Sequence, residues 1–298
     1  MTATPHHPSY RVRAGIAFRL GAVVCMGTMS ALVKLAAERG AHTFEIIFFR
    51  NAFAFIPIVG YILATRGLSV LRTSRPVGHI IRAAIGIAGM MSGFAALSMM
   101  PLSEFTAIVF AAPLLITALS APVLREKVGP HRWAAVLIGF VGVLVTIHPD
   151  PVHLVTLGAL LALGQALGTA GAMLAIRQLG ATEPGPTIVF YFTLSAAIVG
   201  AVLTPFVWTR PTPEVLLLLI AIGLTGGVGQ MLLTEAFKAA PAAIIAPFDY
   251  ATLVWNGLIG YAIWSEKPAL TTIIGGLIVA GSGLYIFWRE TNLQRKPD

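Results

Sequence analysis

Seven charged side chains stand within or at the ends of long apolar runs: Arg19, Lys34, Glu45, Arg50, Arg82, Glu235 and Asp249. A charge placed in hydrocarbon costs at least ~2.5–3.5 kcal/mol on insertion scales, so each needs a partner, an interface or a use. Arg50 falls about seven residues into its run, roughly 10 Å at the helical rise. Asp249 falls at a similar depth in a later run, entered from the opposite face. At such depths a cavity or gate role outweighs simple ion pairing for both. Arg50 suits a solute carboxylate. Asp249, Gln165, Gln230 and Asn256 offer acceptors for an ammonium group. Arg19, Lys34, Glu45 and Arg82 read instead as snorkelling or interface anchors. His79, at the start of a run, reads as a surface histidine with proton sensing as the alternative. Phe49, Phe53 and Phe94, with Tyr191, Tyr250 and Trp255, are candidate cavity walls, as are Phe190 and Phe248. Each alone fits plain packing as readily. No HExxH, GxSxG or Walker A pattern occurs, which argues against an intramembrane enzyme. No residue is singled out as catalytic or metal-ligating, and no cofactor is expected.

The elements that must hold these residues are membrane helices. Apolar residues make up 57% of the 298 positions and charged residues 11%, against roughly 25% charged in a soluble domain. Ten runs are long enough to span: 15–37, 43–64, 78–99, 103–124, 130–148, 153–178, 184–208, 213–237, 242–264 and 268–288. The runs are continuously apolar, without the alternation of a membrane β-barrel. The first run is too long for a signal peptide's apolar core and carries Arg19, so it reads as a retained helix. The short loops on the N-terminal side hold thirteen Lys and Arg, against three on the other side. That bias predicts both termini in the cytoplasm. The net charge of +8 shows no basic stripe or RNA motif, so nucleic acid is not expected as a partner. Pro113 and Pro247 fall inside runs and predict helix breaks beside a cavity or a neighbouring helix. Three pairs of glycines at GxxxG spacing, Gly89 and Gly93, Gly164 and Gly168, Gly223 and Gly227, predict close helix crossings.

One offset of 140 residues relates Pro101 to Pro241, Glu126-Lys127 to Glu266-Lys267, and Gly86 and Gly89 to Gly226 and Gly229. A constant offset implies an internal repeat. Five helices per half would invert the second half across the membrane and place a solute site near the midplane, between the halves.

The segments ALSMMPLSEFTAIVFAAPLLITALSAPVLREKVGPHRWAAVLIGFVGVLV and AFKAAPAAIIAPFDYATLVWNGLIGYAIWSEKPALTTIIGGLIVAGSGLYI carry the two Glu-Lys pairs. Each resembles the EamA-type half of the drug/metabolite transporter superfamily, and Arg50 in RNAFAF resembles that family's second-helix arginine. The resemblance covers nearly the whole chain. It implies an all-α integral membrane fold of ten helices in two inverted five-helix repeats around a central cavity. The expected organisation is a cytoplasmic tail over 1–14, a first repeat over 15–148, a second over 153–288 and a cytoplasmic tail over 289–298. The implied function is a secondary transporter of the bacterial inner membrane, exporting amino acids, with the aromatic exporter group suspected, or related small metabolites. The alternative is an importer of another metabolite, such as a vitamin, a nucleotide-sugar-like solute or S-adenosylmethionine. A channel or an enzyme is a weaker reading. The expected partners are a small-molecule substrate and membrane lipid, with the protein a monomer or a dimer. Proton coupling, resting on Asp249 and Glu235, is a further expectation.

Overall fold

The computed structural model describes residues 12–125, 128–147, 156–240 and 242–294. Glu126 and Lys127, part of the repeat, lie outside them, as does Pro241.

Helices dominate. They are α1 (Val12–Glu38), α2 (Thr43–Thr65), α3 (Pro76–Leu97), α4 (Leu102–Val109), α5 (Ala112–Leu124), α6 (Pro130–Ile147), α7 (Leu157–Leu179), α8 (Gly185–Leu203), α9 (Pro213–Ala239), α10 (Ala242–Ile245), α11 (Ala251–Trp264) and α12 (Leu270–Gln294). Among the described residues, nine segments are long and apolar enough to cross a membrane, with Leu102–Leu124 counted as one. Large apolar side chains such as Ile80, Leu137, Leu160, Leu217 and Leu277 are exposed on the outside. Hydrocarbon can solvate them and water cannot. The chain is a multi-pass membrane protein.

The two prolines mark the broken segments. Pro113 occupies the first turn of α5, after the helix interrupts at Phe110 and Ala111. A proline lacks the N–H that would continue the ladder, but it is free of that penalty in a first turn. Pro247 lies in a 3-10 turn, Ala246–Tyr250, that separates α10 from α11. The run from 242 to 264 is therefore not one continuous helix, which is why it is absent from the nine. Two further prolines, Pro57 in α2 and Pro122 in α5, lie within helices that the sequence reading treated as unbroken.

Helix pairing follows the small residues. The helices α1 and α9 run along one another, as do α3 with α7 and α6 with α12. Where α3 crosses α7, a Cβ placed on Gly89 would lie 2.8 Å from the Gly168 Cα, so the two backbones touch. Gly164 faces Ser92 in the same crossing. The third pair, Gly223 and Gly227, packs against α2 at Phe53 and Pro57. Lipid offers no hydrophobic drive between helices, so dispersion contact across such flat faces substitutes for it.

Candidate functional site

Between α2, α3, α7, α8 and α9 lies a cavity of about 280 Å³. Its polar groups come from Arg50, Arg82, Gln165, Thr169 and Gln230, and its apolar walls include Met29, Met90, Phe94, Met173 and Phe192. A smaller recess against α8 shares Arg50, Arg82, Phe192 and Gln230.

Local structure explains how each arginine is held. Asn51 is fully buried and donates from Nδ2 to the Ile47 carbonyl, 2.7 Å away. Its Oδ1 accepts from Arg50 Nη1 at 2.7 Å, so the amide fixes the guanidinium from one side. Arg82 lies over the Phe192 ring, with its guanidinium carbon 3.8 Å from the ring centre. A cation over a desolvated ring face gains up to ~2 kcal/mol. The remaining donors are unspent: Arg50 Nε, Arg82 Nε and Arg82 Nη1 are buried without a hydrogen-bond partner. Among the described residues neither guanidinium has an acidic partner. Gln165 donates to the Thr169 hydroxyl at 3.1 Å, one helical turn on. Gly86 makes room for Arg82, because a Cβ there would meet Arg82 Nη1 at 2.7 Å, and Gly226 makes room for the Met29 sulfur, which a Cβ would meet at 2.7 Å.

The expected residues divide between this cavity and other places. Arg50, Phe94, Gln165 and Gln230 line it together. Phe49 and Phe53 stack on each other at 6.0 Å, and Phe49 also stacks on Trp208 at 6.4 Å. Tyr191 donates to the Leu71 carbonyl at 2.9 Å and rests against His79. Asp249 is ion-paired with Arg19. Tyr250 stacks on Phe110 at 5.0 Å. Trp255 donates to the Thr28 hydroxyl at 3.3 Å. Asn256 donates to the Thr106 hydroxyl at 2.8 Å, leaving its Oδ1 buried without a partner. Seven of the candidates thus make packing or pairing contacts away from the Arg50 cavity.

Four side chains read as interface anchors behave otherwise. Arg82 lines the cavity, and Arg19 pairs with Asp249. Lys34 is buried and ion-paired with Glu266, while also donating to the Met100 carbonyl at 3.1 Å. Glu45 is buried, accepting from the His42 N–H at 2.9 Å and the Thr209 N–H at 3.1 Å. For Arg19, Lys34 and Glu45 a partner from a distant segment removes the need to snorkel, whereas Arg82 is held over Phe192. His79 is likewise buried rather than a surface group, with Nε2 3.6 Å from the Glu183 carboxylate. Sequence reasoning missed Asn51, Arg82 and Phe192 as site residues. Arg82 had a usable signal, since it lies as deep in its helix as Arg50 does in α2. Phe192 had none.

The cavity extends from mid-bundle, at Arg50, Phe94 and Gln165, toward the ends of α7 and α9 at Ile176 and Leu233. Toward the opposite end the helices are joined by ion pairs and hydrogen bonds. There Glu266 accepts from the Leu102 N–H at 3.0 Å while holding Lys34, and Lys34 also lies 4.8 Å above the Trp264 ring. Trp264 donates to Glu38 at 2.7 Å. Arg39 pairs with Glu214 at 3.1 Å. A second groove of about 250 Å³, between α4, α11 and α12, is apolar and faces outward at Val254, Ile273 and Leu277. It has the character of a lipid contact.

A polar cavity within a bundle of membrane helices suits a small solute. The profile of the EamA-like transporter family matches residues 13–148 and 156–288. The chain belongs to the EamA-like transporter family.

Relatives of this EamA-like protein are transporters of several kinds. An S-adenosylmethionine uptake transporter of Rickettsia bellii is 30% identical over 284 residues, covering 95% of this chain and 96% of that one. A riboflavin transporter of Rhizobium johnstonii is 30% identical, over 97% of this chain and 93% of its own. A pseudopaline exporter of Pseudomonas aeruginosa is 29% identical, over 90% and 94%. A solved crystal structure shares the fold, with a TM-score of 0.65 and 21% identity over 94% of this chain and 99% of that one.

Proposed function

We propose that this EamA-like protein is a secondary transporter that moves an amino acid or related small metabolite by alternating access through the Arg50 cavity. The observation that carries this reading is the unspent donors of Arg50 and Arg82 at mid-bundle, beneath an ion-paired end. Buried cations are retained in a membrane at a cost, and a solute that bears an acidic group offsets it. The positive-inside bias supports a reading with both termini in the cytoplasm of a bacterial inner membrane, in which the cavity faces inward and the Lys34–Glu266 end faces out.

Ten crossings in two inverted halves accompany the proposal, with the broken run from Ala242 to Trp264 as the tenth. Three features support it. Arg125 and Ser265, both left-handed at φ 56°, end α5 and α11 at the repeat offset of 140. Phe110 and Tyr250, at the same offset, stack on each other. The α1–α9 and α3–α7 contacts are the pair that a twofold exchange of halves would equate.

Export is the first reading of direction. Uptake of a vitamin or S-adenosylmethionine is the second, favoured by the uptake and riboflavin transporters among the relatives. The purified protein in liposomes, loaded in turn with amino acids, dicarboxylates or phosphate monoesters, riboflavin or S-adenosylmethionine, should show saturable counterflow for one class. Linear, non-saturating flux would mean a channel and sink the carrier reading.

A further inference from the structure

We infer that the cargo of this cavity is an organic dianion, carrying two carboxylates or a phosphate monoester, and this rests on the cavity being the transport site. The charge count decides it. Two arginines face the cavity, and arginine stays protonated in proteins. Among the described residues, no acidic side chain lines either the cavity or the adjoining recess. Other acids of the bundle are engaged elsewhere: Asp249 with Arg19, Glu235 with the Tyr61 hydroxyl at 2.8 Å, and Glu183 with Ser74. The site therefore holds two positive charges with no internal counterion.

A neutral solute would leave both charges uncompensated. A zwitterionic amino acid would bring a carboxylate for one guanidinium, but also an ammonium next to the other, with only amide and hydroxyl acceptors at Gln165, Gln230 and Thr169 to receive it. A dianion balances the site. It would accept from the three buried donors that have no partner, Arg50 Nε, Arg82 Nε and Arg82 Nη1. The planar guanidinium fork matches both carboxylate and phosphate oxygens. Asn51 behind Arg50 and Phe192 beneath Arg82 hold the two forks in place before the cargo arrives. Such preorganisation lowers the ordering cost of binding.

The test uses the full-length protein in detergent, in a gluconate buffer, with thermal unfolding read against probe concentration. Succinate and succinamide differ in charge at nearly equal size. Glycerol 3-phosphate and glycerol do the same for the phosphate source. A saturable upward shift with succinate, with glycerol 3-phosphate or with both, but not with succinamide or glycerol, is expected, and the responding arm names the source. Arg50→Gln and Arg82→Gln should each weaken the response at least about tenfold, since a charge-assisted hydrogen bond is involved. Arg82→Lys keeps the charge without the fork and should recover part of it, which separates lost binding from lost folding. Equal shifts from succinamide, an equal shift from chloride, or an undiminished shift in the double glutamine variant would each overturn the inference. The carrier reading fails separately: succinate binding without counterflow sinks the carrier alone. Saturable, Arg50-dependent flux of L-phenylalanine, with no response to either dianion, sinks the dianion alone.

Discussion

Lys34 and Glu266, 232 residues apart in the chain, form an ion pair that ties α1 to the segment after α11. The same carboxylate accepts from the Leu102 N–H at the start of α4, so one side chain joins three segments at the ion-paired end of the bundle. Both partners are largely shielded. Removing one leaves an uncompensated charge, which typically costs about 3 kcal/mol, whereas replacing both with apolar residues is near neutral. We expect Glu266→Gln to lower unfolding stability by about that amount, and the Lys34→Met, Glu266→Leu pair to recover most of it. Additive losses across that double-mutant cycle would mean the two side chains do not interact.

Arg50 and its brace should behave as a unit in transport. Arg50→Ala should cut counterflow more than about tenfold, because a charge-assisted contact is worth roughly 1.5–3 kcal/mol. The protein should still insert and unfold cooperatively. Asn51→Ala removes the amide that fixes the guanidinium and should lower flux in the same direction with a smaller effect. Normal flux in the Arg50 variant would place the solute path elsewhere.

The α3–α7 crossing leaves no room for a side chain. A Cβ on Gly89 would already lie 2.8 Å from the Gly168 Cα. Gly168→Leu should force the backbones apart and cost about 1–3 kcal/mol, as overpacking does. Gly185 has open space at the same probe and serves as the control. A Gly168→Leu protein that melts with the parent would show that the crossing loosens freely.

The loop after α7 carries a pH-dependent clamp. Burial raises the Glu183 carboxyl's pKa, but the Ser74 N–H at 3.0 Å, the hydroxyls of Thr73 and Ser74, and His79 outweigh it and hold the value below the ordinary 4.5. A carboxylate with a depressed folded value stabilises the fold above its unfolded pKa and loses that contribution as pH falls through the folded value. Stability should therefore fall below about pH 4.5 in the parent, and Glu183→Gln should flatten that part of the profile. Identical acid profiles for the two proteins would remove Glu183 from the account.

Much of the architecture is legible in composition and spacing. The excess of apolar residues dictates lipid as the solvent, and the long uninterrupted runs dictate helices, because each backbone must satisfy its own hydrogen bonds there. Pro113 and Pro247 mark their breaks for the same local reason: a missing N–H acts on its own turn. The GxxxG spacings mark faces that pack closely, since spacing along one helix decides what stands on one side of it.

Partnership is different, because it depends on which helices meet. Nothing local to Asp249 distinguishes a cavity acid from the partner of Arg19, and nothing local to Arg82 separates an interface anchor from a cavity cation. Burial cost tells that an intramembrane charge must be compensated, but not by whom. Only the packing of α1 against α11 and the 3-10 turn before it hands Glu266 to Lys34 and Asp249 to Arg19, while α2 and α3 bring Arg50 and Arg82 to one cavity with no acid among its described lining residues.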